Sequence, residues 1–193
     1  VRRALRAASD RGIEVLIQRG NRDLIMGKRL MRECGARMLP DCHVTEVAGH
    51  PTLLMHGDLL CTDDVDYQKT RRRFRNPLFQ WIMLRKSLQE RRRIVAEYRS
   101  RSRELTALKP ADIMDVNTDT VSRYLKKYRT RRLIHGHTHR PASHEHRMGD
   151  DTIATRLVLP EWHEDHAIAW LDDGSRLTEV PVVRSPARTS SAG

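Results

Sequence analysis

Ile134-His135-Gly136-His137-Thr138-His139-Arg140-Pro141 is the stretch on which the reading of the chain turns. It follows a short apolar run and ends in proline, the pattern of a strand leaving a sheet edge for a loop. In an extended stretch, side chains two apart point to the same side, so His137 and His139 are expected to face one point, with His135 in the same phase. Gly136 removes a side chain where the backbone comes close to another group. Two neutral imidazoles converging on a point suit a borderline transition metal such as Mn, Fe, Co or Zn. Taken alone, the same residues also describe a surface histidine cluster with no ligand.

Two earlier segments repeat the pattern of an apolar run ending in metal-competent side chains. Ile13-Glu14-Val15-Leu16-Ile17 reads as a buried strand and runs into Gly20-Asn21-Arg22-Asp23. Thr52 to Met55 reads as a second strand and ends in His56-Gly57-Asp58. Ligands delivered from one edge of a sheet build a site on a rigid scaffold. A carboxamide oxygen with several imidazoles suits Mn²⁺, Fe²⁺ or Zn²⁺ better than Ca²⁺.

The remaining elements follow from periodicity and turn chemistry. Residues 1–10 read as a helix capped near Gly12, and residues 24–33 as a second helix capped near Gly35. His43 to Val47 pairs with Thr52 to Met55 in a hairpin turning at Gly49-His50-Pro51. Met114 to Tyr128 reads as a helix with Asn117 or Thr118 as its N-cap. Residues 152–159, 167–171 and 177–183 read as short strands. Helices alternate with strands early and strands dominate late, which predicts a mixed sheet layered with helices, an α/β or α+β sandwich. One domain spans residues 1–183, and residues 184–193, rich in Ser, Ala, Arg and Pro, read as a disordered tail.

The 193 residues carry a net charge of +11, and 38% are hydrophobic. The sequence pI of about 10.3 points to an anionic partner: nucleic acid, a phosphorylated substrate or an acidic membrane surface. No apolar run approaches the ~20 residues of a membrane-spanning helix. Cys34, Cys42 and Cys61 have no CxxC spacing, which argues for a reducing compartment.

Much of the charge sits in residues 66–110, where Lys69 to Lys109 holds 14 Lys or Arg against three Glu. Trp81, Leu84, Leu88, Val95 and Tyr98 fall near one helical face. The segment reads as two or three helices forming a basic amphipathic insertion that faces a membrane or packs on the core.

Gly-Asn-Arg-Asp, then His-Gly-Asp, then Gly-His-Thr-His, in this order, resembles the calcineurin-like metallophosphoesterase superfamily. Within it, residues 56–64, Ile113-Met114-Asp115-Val116-Asn117 and residues 134–141 resemble the UDP-2,3-diacylglucosamine diphosphatase family of Gram-negative lipid A synthesis. The resemblance covers nearly all of residues 10–172. It implies hydrolysis of the pyrophosphate of a lipid-linked nucleotide sugar to UMP and a lipid monophosphate, by water activated between two Mn²⁺ ions. It implies metal ligation by Asn21, His56, His137 and His139, with Asn21, Arg22 and His137 at the reacting phosphate. It implies substrate contacts from Asp64, Ser102, Thr106 and Lys109, with Thr106 standing where relatives carry Asn. The basic insertion would then cap the acyl chains against the anionic inner membrane, on its cytoplasmic face, as a peripheral protein.

The family opens with an Asp-x-His motif and a bridging Gly-Asp motif that these 193 residues do not contain. Val1 begins in mid-helix pattern, so about 60 preceding residues, one strand-helix-strand unit, are expected upstream. Weak metal binding, little turnover and doubtful independent folding are expected of residues 1–193 alone. His135 reads as a buried strand residue or one orienting a ligand, and His144, His146, His163 and His166 as structural or surface residues. Metal-dependent cleavage of another phosphodiester, as by a nuclease, is a competing reading that the residues around Cys61 and Asp115 oppose. A nucleic-acid-binding module is a second; three Trp, four Tyr and two Phe are few for stacking on bases.

Overall fold

The computed structural model describes residues 1–23, 25–107, 115–149, 151–162, 168–173 and 177–182, with backbone alone at 103, 105–107 and 177. The element order is α1 (Arg2–Asp10), β1 (Val15–Gln18), α2 (Lys28–Cys34), β2 (Ala36–Leu39), β3 (Cys42–Val47), β4 (His50–Met55), α3 (Val65–Arg75), α4 (Pro77–Arg85), α5 (Leu88–Ala107), α6 (Thr118–Tyr128), β5 (Arg132–His135), β6 (Ala142–Arg147), β7 (Ile153–Val158), β8 (Ile168–Asp172) and β9 (Leu177–Pro181).

The central sheet has five strands in the order β3-β4-β5-β7-β6. Its middle three, β4, β5 and β7, run parallel, and antiparallel strands flank them on both edges. Helix α6 supplies Val121 and Leu125 to a core shared with Leu53, Met55, Leu60, Leu133, Met148 and Ala154. Leu53, Leu133, Val121 and Leu125 are fully buried. Parallel strands need crossovers that pack helices on the sheet, and α6 between β4 and β5 in sequence is such a crossover. Strands β1 and β2 form a separate parallel pair joined through α2, and β8 pairs with β9. The fold is thus mixed α/β, a mixed sheet flanked by helices, as the pattern predicted.

Cap chemistry behaves as expected. Gly12 has φ +83°; its N–H donates to Ser9 O and that of Ile13 to Ala8 O, closing helix α1. Asn117 caps α6 by accepting from Thr120 N–H.

Several expectations need correction. The hairpin turns at Ala48-Gly49, both at positive φ, and His50 and Pro51 belong to β4; a two-residue turn of this hand matches the twist of its strands. Strands β2 and β6 have no sequence signal, because Arg37 breaks the apolar run of one and four polar residues, Ser143 to His146, fill the middle of the other. Strand β1 is half-buried, and Ile13 is exposed and outside it. The apolar face of the insertion is shared between two helices: Trp81 and Leu84 lie on α4, and Leu88, Val95 and Tyr98 on α5. Extended backbone at Lys86 separates them. Residues 184–193 lie outside the described residues.

Leu133 is buried on the central strand and Leu78 is 63% exposed on α4. Chemical denaturation should show Leu133→Ala losing about 2–5 kcal/mol, while Leu78→Ala stays within about 0.5 kcal/mol of the parent.

Candidate active site

The register of the parallel strands creates the site. Met55 pairs with His135, so His56 and Gly136 leave the carboxyl ends of β4 and β5 side by side. Gly136 N–H donates to His56 O at 3.0 Å and extends the ladder one step beyond the assigned strands. Crevices outside the carboxyl ends of parallel strands are where open α/β sheets bind ligands.

Beyond Gly136 the chain does not stay extended. His137 and His139 have φ of +70° and +53°, so the strand phase expected to align His135, His137 and His139 does not hold. His135 turns inward and is 1% exposed. Its Nδ1–H donates to Gly136 O at 2.8 Å and its Nε2 accepts from Arg156 at 3.2 Å, which fixes the tautomer. Burial drives its pKa down to about 4. Gly57 explains the sharp turn: at φ +112°, an added Cβ would lie 2.8 Å from both Gly136 O and His135 Nδ1.

His56 and His137 meet edge to face with centroids 5.0 Å apart. Asn21 arrives from the end of β1 and its backbone N–H donates to His56 Nε2 at 3.3 Å. Gly20 makes this approach possible, since a Cβ there would touch the His56 ring at 3.0 Å. Burial lowers the pKa of both imidazoles, that of His137 to about 4, so they are neutral near pH 7. His139 is exposed and its Nδ1 lies 2.8 Å from Glu161 Oε2. The structure therefore gathers Asn21, His56 and His137 and leaves His139 on the rim.

These donors fit a divalent transition-metal ion in kind: neutral imidazoles beside a carboxamide. In number they are incomplete, because among the described residues no three His, Cys, Asp or Glu side chains form a metal-binding group.

Asp58, Tyr67 and Arg71 were not read as site residues, yet they back the imidazoles. Asp58, 2% exposed, accepts from Arg71 Nε at 2.7 Å and from the Tyr67 hydroxyl at 3.3 Å. Burial raises the Asp58 pKa, but chiefly the neighbouring Arg71 charge, with its hydrogen bond, outweighs it and holds the carboxyl below its ordinary value. The Tyr67 ring packs 5.4 Å from that of His137, and burial, then Asp58, push its phenol pKa up. The signal was present: Tyr67, Arg71 and Arg75 recur every fourth residue, one stripe of a helix.

A cleft of about 760 Å³ opens between this site and the insertion. Asn21, Arg22, Tyr67 and Arg71 line one part, Phe74, Phe79, Met83, Leu88, Ile94 and Val95 another, and Ser102 the wall of α5. Arg22 is exposed. Arg91 also lines the cleft, with its Nε buried and without a hydrogen-bond partner among the described residues. Asp64 caps α3 by accepting from Tyr67 N–H at 3.0 Å. The side chain of Thr106, and Lys109, His163 and His166, lie outside the described residues. His144 sits half-buried on β6, and His146 is buried there against Ser122 at 2.7 Å.

No protein-family model matches the chain. Curated relatives do. The chain is 43% identical over 179 residues to the UDP-2,3-diacylglucosamine hydrolase of Edwardsiella ictaluri, covering 92% of this chain and 69% of that protein. It is 45% identical over 159 residues to the Pseudomonas fluorescens protein of the same name, covering 82% and 64%. It is 42% identical over 184 residues to that of Ectopseudomonas mendocina, covering 95% and 75%. The chain thus spans roughly two thirds to three quarters of the length of these relatives.

The lowered histidine pKa values have a stability consequence. In the metal-free protein the unfolded histidines protonate near 6.5 and the folded His135 near 4, so the unfolded state binds more protons between those values. Stability is then fully present above about pH 6.5 and falls as pH drops toward 4, by on the order of 3 kcal/mol for His135 alone. Denaturation midpoints measured from pH 7 to 4 in EDTA check this, and His135→Gln should flatten the slope.

Proposed function

The chain belongs to the UDP-2,3-diacylglucosamine hydrolase family, and we propose that it splits the pyrophosphate of UDP-2,3-diacylglucosamine in lipid A biosynthesis. The products are UMP and 2,3-diacylglucosamine 1-phosphate. One observation carries the reading to this chain's own residues: the cleft joins a polar end at Asn21, Arg22, Tyr67 and Arg71, where Asn21 and Tyr67 touch the imidazoles, to an apolar wall on α3–α5. A substrate with a pyrophosphate at one end and acyl chains at the other matches both parts. A nucleic acid has no use for the apolar wall.

Asn21, His56, His137 and His139 are the residues that would hold the metal. When bound, Mn²⁺, two ions per active site, supplies Lewis acidity to phosphoryl oxygens and lowers the pKa of a coordinated water. The chain's own residues contribute the rest. Burial keeps His56 and His137 neutral, so neither ring has to lose a proton before it can ligate at physiological pH, and His56 Nε2 would give up the Asn21 N–H on doing so. Tyr67 packs on His137 and limits its motion. Arg22 offers a planar fork to the phosphate oxygens. Arg91 brings a donor whose desolvation is uncompensated until an acceptor enters the cleft. Ser102 lines the apolar part of the cleft, Asp64 caps the helix beside it, and Thr106 and Lys109 are proposed to contact substrate from the end of the insertion.

The insertion also suits attachment at the cytoplasmic face of the inner membrane. Leu78, Trp81, Ile82, Leu84 and Leu88 are exposed, and the Arg85 guanidinium lies 3.7 Å from the Trp81 ring centre. An aromatic and arginines at an apolar surface match the interface of an anionic bilayer. Among the described residues no helix is long and apolar enough to cross a membrane.

The full-length protein, given Mn²⁺ and detergent-dispersed UDP-2,3-diacylglucosamine, should release UMP, and His137→Ala should lower the rate by about 100-fold or more. Cleavage of simple phosphodiesters with this substrate left intact overturns the assignment. On vesicles with anionic lipid, Trp81→Glu should weaken sedimentation without changing the detergent assay; equal binding to neutral vesicles overturns the membrane reading.

A further inference from the structure

Helix α3 is joined to the sheet by an ion-pair chain that extends well beyond the imidazoles. Arg71, with its side chain 9% exposed, donates from Nε to Asp58 and from a terminal nitrogen to Asp41, each at 2.7 Å. Arg75, 11% exposed and one turn on, reaches the other Asp41 oxygen at 2.7 Å and Arg19 O at 3.1 Å. Asp41 lies between β2 and β3, and neither it nor Arg75 lines the cleft. One carboxylate thus accepts from two arginines of one helix, and the second arginine also ties down the backbone two residues before Asn21.

The geometry points to Asp41 and Arg75 as positioning residues for the hydrolase: with Arg71 they lock α3, and through it the helical insertion, over Asn21, Arg22 and His137. This inference rests on the reading that the cleft takes the acylated substrate. The cleft wall on α4 and α5 reaches the sheet through α3, which carries Tyr67 against His137 on the same stripe as both arginines. Four guanidinium nitrogens, Nε and one terminal nitrogen of Arg71 and both terminal nitrogens of Arg75, each donate to a carboxylate or carbonyl, while Arg75 Nε is buried with no partner among the described residues, so the helix is fixed in register as well as in proximity. Removing the shared acid releases both arginines at once and leaves Asp58 as the single acidic anchor on Arg71.

The test uses the full-length protein with Asp41→Asn, Arg75→Ala and the double variant. Two readouts are taken: kcat and KM for UDP-2,3-diacylglucosamine, and amide hydrogen exchange without substrate. Each single variant should raise KM about tenfold with kcat within about twofold, the signature of lost substrate positioning. Exchange should quicken in α3–α5 and stay unchanged in Leu53–Met55 and Leu133–His135, and the double variant should be no worse than the poorer single one. Unchanged KM, a fall in kcat alone, additive effects, or faster exchange throughout the sheet would each overturn the inference. If the wild type shows no turnover, the functional reading fails by itself. Exchange then decides alone: selective loosening of α3–α5 supports the lock and its absence removes it.

Discussion

The buried pair of Asp58 and Arg71 is the contact on which the rest of the site depends. Asp58 sits two residues after His56, and the turn at Gly57 points it under the imidazoles rather than into solvent. A carboxylate in that position is costly unless paired, and losing one member of such a pair typically costs about 3–5 kcal/mol because the other charge is stranded. Arg71 meets the cost with an Nε bond, and Tyr67 adds a hydroxyl. The same three groups then do two jobs. They pack under and beside the imidazoles, whose burial keeps them neutral against the opposing pull of the Asp58 charge, and they anchor the first helix of the insertion. A fold that separated these jobs would need two sets of buried charges.

The backbone around the pair is built for close approach. Gly57 and Gly20 each stand where a Cβ would meet a neighbour at 3.0 Å or less. His137 and His139 hold left-handed conformations that side chains adopt at a cost of order 1–3 kcal/mol each. Strain of this kind survives where surrounding contacts dictate it. Here the continued ladder from Gly136 to His56 and the packing of His137 on His56 and Tyr67 supply them.

How much of this was legible follows from which interactions are local. The strands that end in Asn21, His56 and His137 could be read because each is a short apolar run closed by a glycine-containing polar loop. The caps at Gly12, Gly35 and Asn117 could be read because cap chemistry lies within a few residues. The phase of the histidine strand was misread because it was set by Gly57, eighty residues away, whose closeness to Gly136 no local pattern contains. Asp41 was invisible for the same reason: its partners stand thirty or more positions on. Arg71 and Arg75 were hidden differently. In the run Arg71-Arg72-Arg73-Phe74-Arg75 the helical stripe cannot be told from a basic surface until the acids facing it are located.

The net charge of +11 is divided between cations that face acids and cations that face solvent. Arg71 and Arg75 turn inward onto Asp58 and Asp41, Arg140 pairs with Asp115, and Arg132 with Asp172. These cations carry structure, and their fields are cancelled within a few ångströms. The charge left to act on a partner is that of the exposed arginines, among them Arg72, Arg73 and Arg85, beside the apolar ridge of Leu78, Trp81 and Ile82. A composition-level excess of base, which suits nucleic acid and membrane equally, thereby resolves into two populations. The paired one carries structure, with Arg71 and Arg75 at the site, and the outer one shares its surface with exposed leucine and tryptophan, the feature behind the proposed membrane attachment.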